Sequence, residues 1–79
     1  MPKVNLSASH RRALELLSAS ADGLTQALLM AHGVAAELIA QLILDGLVGA
    51  EAERMMAGGK LIEVRRIRIT DAGRRAIQT

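Results

Sequence analysis

The chain has 79 residues, no Phe, Tyr, Trp or Cys, and a formal net charge of +2. A domain of this length buries only about 60% of its unfolded surface, and a core of Leu, Ile, Val, Met and Ala favours closely packed helices over a β-sandwich or barrel. The lack of aromatic rings argues against nucleic-acid modules that stack bases, and the lack of Cys excludes disulfide scaffolds and thiolate zinc sites.

The first periodic segment is SASHRRALELLSAS. Ser7 or Ser9 is placed to cap it, and Ala13, Leu14, Leu16 and Leu17 form its apolar stripe. Asp22 and Gly23 close it. LTQALLMAHG reads as a second helix of about two turns, with Thr25 as N-cap and Gly33 past its end. VAAELIAQLILDGLV, Val34 to Val48, is the third helix, stopped at Asp45-Gly46. Two helices meeting across His32-Gly33 have helix-turn-helix spacing, in which Leu28, Val34, Ile39 and Leu42 fall at the positions that need apolar packing.

After Gly46 the pattern alternates. Val48, Ala50 and Ala52 fall on one side of an extended run, and Glu51 and Glu53 on the other. MMAGGK reads as the turn, and LIEVRRIRI as the return strand. Its apolar parity slips at Arg65-Arg66, where one extra residue, a β-bulge, would explain the change. TDAGRRAI forms a short terminal helix capped by Thr70. The expectation is a single α+β domain over residues 1–79, with residues 1–8 flexible: three helices including a helix-turn-helix, a β-hairpin wing and a short terminal helix.

Charge is unevenly spread. Residues 21–59 carry one cation against five acids, and residues 60–79 carry six cations against two acids. The basic end is therefore the return strand of the hairpin together with the terminal helix.

This order of elements, with GLV at Gly46-Leu47-Val48, the wing glycines Gly58-Gly59, and Thr70 with Gly73 opening the last helix, resembles a winged helix-turn-helix. It is most similar to the DNA-binding core of MarR-type transcriptional regulators, from about Ser9 onward. The resemblance implies a regulator that contacts double-stranded DNA through its third helix and basic wing. One departure bears on that function. The family's recognition helix usually displays Arg, Lys, Ser or Thr, whereas this one displays Glu37, Gln41 and Asp45.

Candidate DNA contacts divide by type. Gln41 is able to bond adenine in a bidentate fashion, and Glu37 to accept from cytosine; both also suit a plain solvated face. Lys60, Arg65, Arg66 and Arg68 on the wing, with Arg11 and Arg12 on the first helix, are phosphate candidates. Cross-strand pairing with Glu51, Glu53 and Glu63 would neutralise part of that charge. Arg74 and Arg75 suit the C-terminal dipole of a short helix.

On a helical wheel the polar residues of the third helix occupy a narrow sector, leaving roughly 240° apolar. With Leu38, Ile39 and Leu42 inward, Ala36, Ala40, Ile43 and Leu44 are either covered by a neighbouring element or form a patch that binds protein, a second copy included.

His10 and His32 read as structural or solvated, and Met55-Met56 by the wing turn suit contact with a partner or, more commonly, gap-filling. No cofactor or metal is implied, and nothing suggests an enzyme. Without a signal core in MPKVNLSASHRR or a stretch near the ~18 apolar residues of a membrane span, a soluble cytoplasmic protein is expected. The leading reading is a homodimeric DNA-binding regulator. The alternative is a winged-helix interaction or dimerisation module that does not bind DNA.

Overall fold

The structure, a computed structural model, describes residues 7–78. Most of the N-terminal stretch expected to be flexible lies outside the described residues, but Ser7 and Ala8 open the first helix. The fold is α+β: four helices and one three-stranded antiparallel sheet. In chain order they are α1 (Ala8–Ser18), β1 (Leu24–Thr25), α2 (Gln26–Ala31), α3 (Ala36–Leu44), β2 (Val48–Ala57), β3 (Lys60–Ile69) and α4 (Asp71–Ile77). The sheet order is β1-β3-β2.

Local chemistry fixes the helix ends. The hydroxyl oxygen of Ser7, not that of Ser9, accepts from the His10 N–H and caps α1. That of Thr25 accepts from the Leu28 N–H and caps α2. The turn between α2 and α3 places Gly33 at φ 92°, and α3 starts at Ala36, two residues later than its apolar pattern suggests. Ala35 caps α3 without a side-chain hydrogen bond, and Glu37 in its first turn complements the helix dipole.

The core gathers Leu14 and Leu17 of α1, Leu29 of α2, Ile39 and Leu42 of α3, and Ile67 of β3, closed by Ala13, Val34, Leu47 and Val48. Leu29 therefore holds the inward place expected of Leu28, which is 47% exposed. Six residues of α2 cannot present both neighbours to one core, and the phase set by the Thr25 cap selects the second.

β1 has no counterpart in the sequence pattern. Two residues long, it pairs Leu24 with Ile67 and Thr25 with Arg66. Gly23 leads into it at φ 76°, where a Cβ would lie 2.2 Å from the Ile67 carbonyl oxygen. The loop thus presses onto β3 where no side chain fits.

β2 and β3 pair without interruption from Val48↔Ile69 to Ala57↔Lys60. The bulge expected at Arg65-Arg66 is absent. The change of parity arises because the apolar residues change sides of an unbroken strand. Ile67 and Ile69 face the helices at the hairpin base, and Ile62 and Val64 lie on the opposite face further out. Only Gly58-Gly59 form the turn, both at positive φ as a two-residue hairpin loop requires; Met55 and Met56 belong to β2. The hairpin projects beyond the helices and makes the molecule 50 × 21 × 21 Å.

α4 is bound back to the start of β2. The Thr70 hydroxyl donates to the Gly46 carbonyl at 2.7 Å and accepts from the Gly73 N–H at 3.1 Å, and the Thr70 N–H donates to the Leu47 carbonyl. A Cβ on Gly73 would stand 2.1 Å from that carbonyl oxygen. Among the described residues no helix is long and apolar enough to cross a membrane.

Candidate interaction surface

Helix phase decides what α3 offers. Ile39 and Leu42 point into the core, which turns the opposite side, Ala36, Glu37, Ala40, Gln41 and Leu44, to solvent. Leu44 is 85% exposed. Ile43 is half-buried at the margin. The four residues whose placement the sequence left open thus form one apolar stripe with Glu37 and Gln41 beside it, and no cation stands anywhere on the helix.

The polar flank of α3 is already engaged. The Ser7 hydroxyl bonds His10 Nδ1, and His10 Nε2 lies 3.2 Å from Gln41 Oε1. With the proton on Nε2, the ring donates to Gln41 and accepts from Ser7. A bidentate contact from Gln41 to a base has to displace this bond. Glu37 is exposed, with no ion pair among the described residues.

The hairpin cations divide by strand parity. On the face turned away from the helices, Arg66 ion-pairs with Glu53, and its Nη1 donates to the Asp22 carbonyl at 3.4 Å. The Glu53 hydrogen bond and the nearby carboxylates push the Arg66 guanidinium pKa still higher. Arg68 lies 4.0 Å from Glu51 on the same face. Two of the four predicted wing cations are therefore matched by acids of the neighbouring strand. Lys60, at the tip, and Arg65 are exposed and make no ion pair among the described residues.

Arg65 falls on the helix-facing side, in register with Ala52. There it separates two halves of a groove. One half, about 320 Å³, is lined by Gln26, Ala36, Ile39, Ala40, Ile43, Leu44 and Arg65. The other, about 310 Å³, runs past Thr25, Ala27, Met30 and Glu63. Gln26 borders both, and its side-chain oxygen is buried without a hydrogen-bond partner among the described residues.

Arg11 is engaged by α4. Arg11 reaches along α1 to donate to the Ile77 carbonyl at the end of α4, 3.5 Å away, where it complements the helix terminus. Arg12, Arg74 and Arg75 are exposed on these two helices.

At the hairpin tip, Leu61 and Ile62, which the sequence pattern did not single out, join Met55 and Met56 in an exposed apolar cluster. Met56 and Leu61 are 68% and 60% exposed and oppose each other on the helix-facing side. Met55 and Ile62 do so on the other side. These methionines fill no gap. The usable signal was the uninterrupted spacing of both runs around Gly58-Gly59, which places them in mid-air.

Among the described residues no three His, Asp or Glu side chains gather into a set able to hold a metal ion. No family model, curated protein or solved structure matches the chain.

Proposed function

We propose that the chain is a winged helix-turn-helix domain, built like the core of MarR-type regulators, whose third helix and wing serve protein-protein contact instead of reading DNA. The fold name rests on the order α1-β1-α2-α3-β2-β3. It rests also on the short β1 at the hairpin base and on the Thr70 and Gly73 contacts that tie α4 to the Gly46-Leu47 step.

One observation carries the functional reading. The outward side of α3, where a DNA reader displays cations and hydroxyls, displays Ala36, Ala40 and the 85% exposed Leu44 beside Glu37. An apolar strip next to an acid repels phosphate and gains from covering by another apolar surface. The ion pairs of Arg66 and Arg68 with Glu53 and Glu51 further reduce the wing's pull on DNA.

DNA binding is the second reading, favoured by Lys60 and Arg65 on the hairpin, which are exposed and make no ion pair among the described residues. Fluorescence anisotropy with mixed-sequence duplexes separates the two. No binding is expected even at ~20 mM salt, where screening is weak. Binding with a log K against log salt slope of about −3 to −5 per subunit overturns the interaction reading.

A further inference from the structure

The corner between the projecting hairpin and the α2-α3 pair is an apolar groove with a cation at its centre. Ala27 and Met30 of α2 wall one half, and Ala36, Ala40, Ile43 and Leu44 of α3 wall the other. The halves enclose about 310 and 320 Å³, and Arg65 lines both.

The chain supplies no acid for this cation. Arg66 and Arg68 are held by Glu53 and Glu51 on the face turned away from the helices. On the helix-facing side Glu63 stands directly opposite Arg54, whereas Arg65 stands opposite Ala52. Glu63 is therefore shared toward Arg54, and Arg65 makes no ion pair among the described residues. A guanidinium between apolar walls is partly screened from water. There its charge-assisted, two-pronged bond to a carboxylate is stronger than on an open surface.

We propose that this groove binds a segment of another protein that presents an Asp or Glu between two apolar side chains, with the carboxylate on Arg65 and one apolar side chain in each half. The assignment rests on the protein-contact function proposed above and names the chemistry of the partner that meets the α3 wall. Gln26 borders both halves, and its side-chain oxygen has no hydrogen-bond partner among the described residues. A backbone N–H of the bound segment supplies a donor once the amide turns toward the groove.

Other occupants fit less well. A straight-chain carboxylic acid has its apolar part on one side of the carboxylate and fills one half only. A phosphodiester satisfies Arg65 but brings no apolar group to either wall. The chain's own hairpin acids also lack the required setting. On its face of β3, Glu63 has Leu61 on one side and Arg65 on the other, and on its face of β2, Glu51 lies between Gly49 and Glu53.

The test pans a random-sequence peptide library on the whole chain and, in parallel, on Arg65→Glu, an exposed site whose reversal is expected to leave the thermal midpoint in place. The wild-type chain is expected to enrich peptides with an acid flanked by apolar residues, and Arg65→Glu to enrich peptides with Lys or Arg at the centre. A labelled wild-type consensus peptide, followed by anisotropy, is expected to bind Arg65→Glu and Leu44→Asp about tenfold or more weakly. Arg68→Glu, on the opposite face, is expected to leave its affinity unchanged. No enriched consensus, a consensus without an acid, or a peptide indifferent to Arg65→Glu or Leu44→Asp overturns the proposal. Competition by hexanoate as strong as by unlabelled peptide assigns the groove to a small acid and overturns it too. Duplex DNA is measured separately. If neither DNA nor peptide binds, this partner chemistry falls and the protein-contact function stands; if DNA binds as described above, that function falls whatever the peptides do.

Discussion

Arg66 on β3 and Glu53 on β2 form an ion pair on the side of the hairpin turned away from the helices, and the Asp22 carbonyl takes a second bond from the same guanidinium. Arg68 and Glu51 repeat the arrangement more loosely at 4.0 Å. Both pairs run diagonally across the register, which sets Glu51 directly opposite Arg66 and Glu53 opposite Val64. The hairpin that looks basic in one dimension is thereby close to neutral on this face.

If these acids suppress DNA affinity, removing them should create it. Glu51→Gln with Glu53→Gln frees Arg66 and Arg68, and the variant should gain weak affinity for duplexes of any sequence. The salt dependence should steepen by about 0.9 per additional phosphate contacted, near 2 in total. The pairs are solvent-accessible, so the stability change should stay within about 1 kcal/mol. Unchanged DNA binding, read by anisotropy, would show that these pairs do not control the hairpin's charge.

The phase of α3 is testable by contrast. Leu42 is 1% exposed and Leu44 85%, two residues apart on a nine-residue helix. Leu42→Ala should cost about 2–5 kcal/mol through lost burial and a cavity, a large share of the roughly 4–12 kcal/mol expected of 79 residues. Leu44→Ala in dilute, monomeric protein should change stability by less than about 0.5 kcal/mol. Urea denaturation gives both values, and equal costs would mean that the helix is rotated from the orientation described.

The junction of α4 with β2 predicts a graded pair. Thr70→Ala removes the cap and the bond to the Gly46 carbonyl and should cost about 1–2 kcal/mol, with Thr70→Ser recovering most of it. Gly73→Ala drives a methyl into the Leu47 carbonyl, 2.1 Å away. It should cost about 1–3 kcal/mol, because backbone is what would have to move. Thermal unfolding of the three variants checks the order.

Some of this architecture is legible in the residues and some is not. The caps at Ser7, Thr25 and Thr70 and the positive φ at Gly33 and Gly46 follow from local chemistry, which a short window of sequence contains. β1 is not legible, because two residues have no periodicity and Leu24-Thr25 become a strand only by meeting Ile67 and Arg66. The exchange of Leu28 for Leu29 turns on a phase difference that a six-residue helix is too short to reveal.

The parity slip at Arg65-Arg66 was misleading for a different reason. A bulge and an apolar stripe that changes sides give the same letters, and only the projection of the hairpin beyond the core separates them. For the candidate surface, Ala36, Ala40, Ile43 and Leu44 were singled out by their excess over what a small core requires. The exposure of the hairpin tip is not legible, because nothing in Met55, Met56, Leu61 or Ile62 says that no helix lies above them.

The most direct test of the central claim, that the outward side of α3 meets protein and not DNA, is methyl-resolved NMR of a dilute sample titrated with duplex DNA at low salt. The account predicts that none of the Ala36, Ala40, Ile43 and Leu44 signals responds to DNA. Signals of α3 that shift when DNA is added would contradict it.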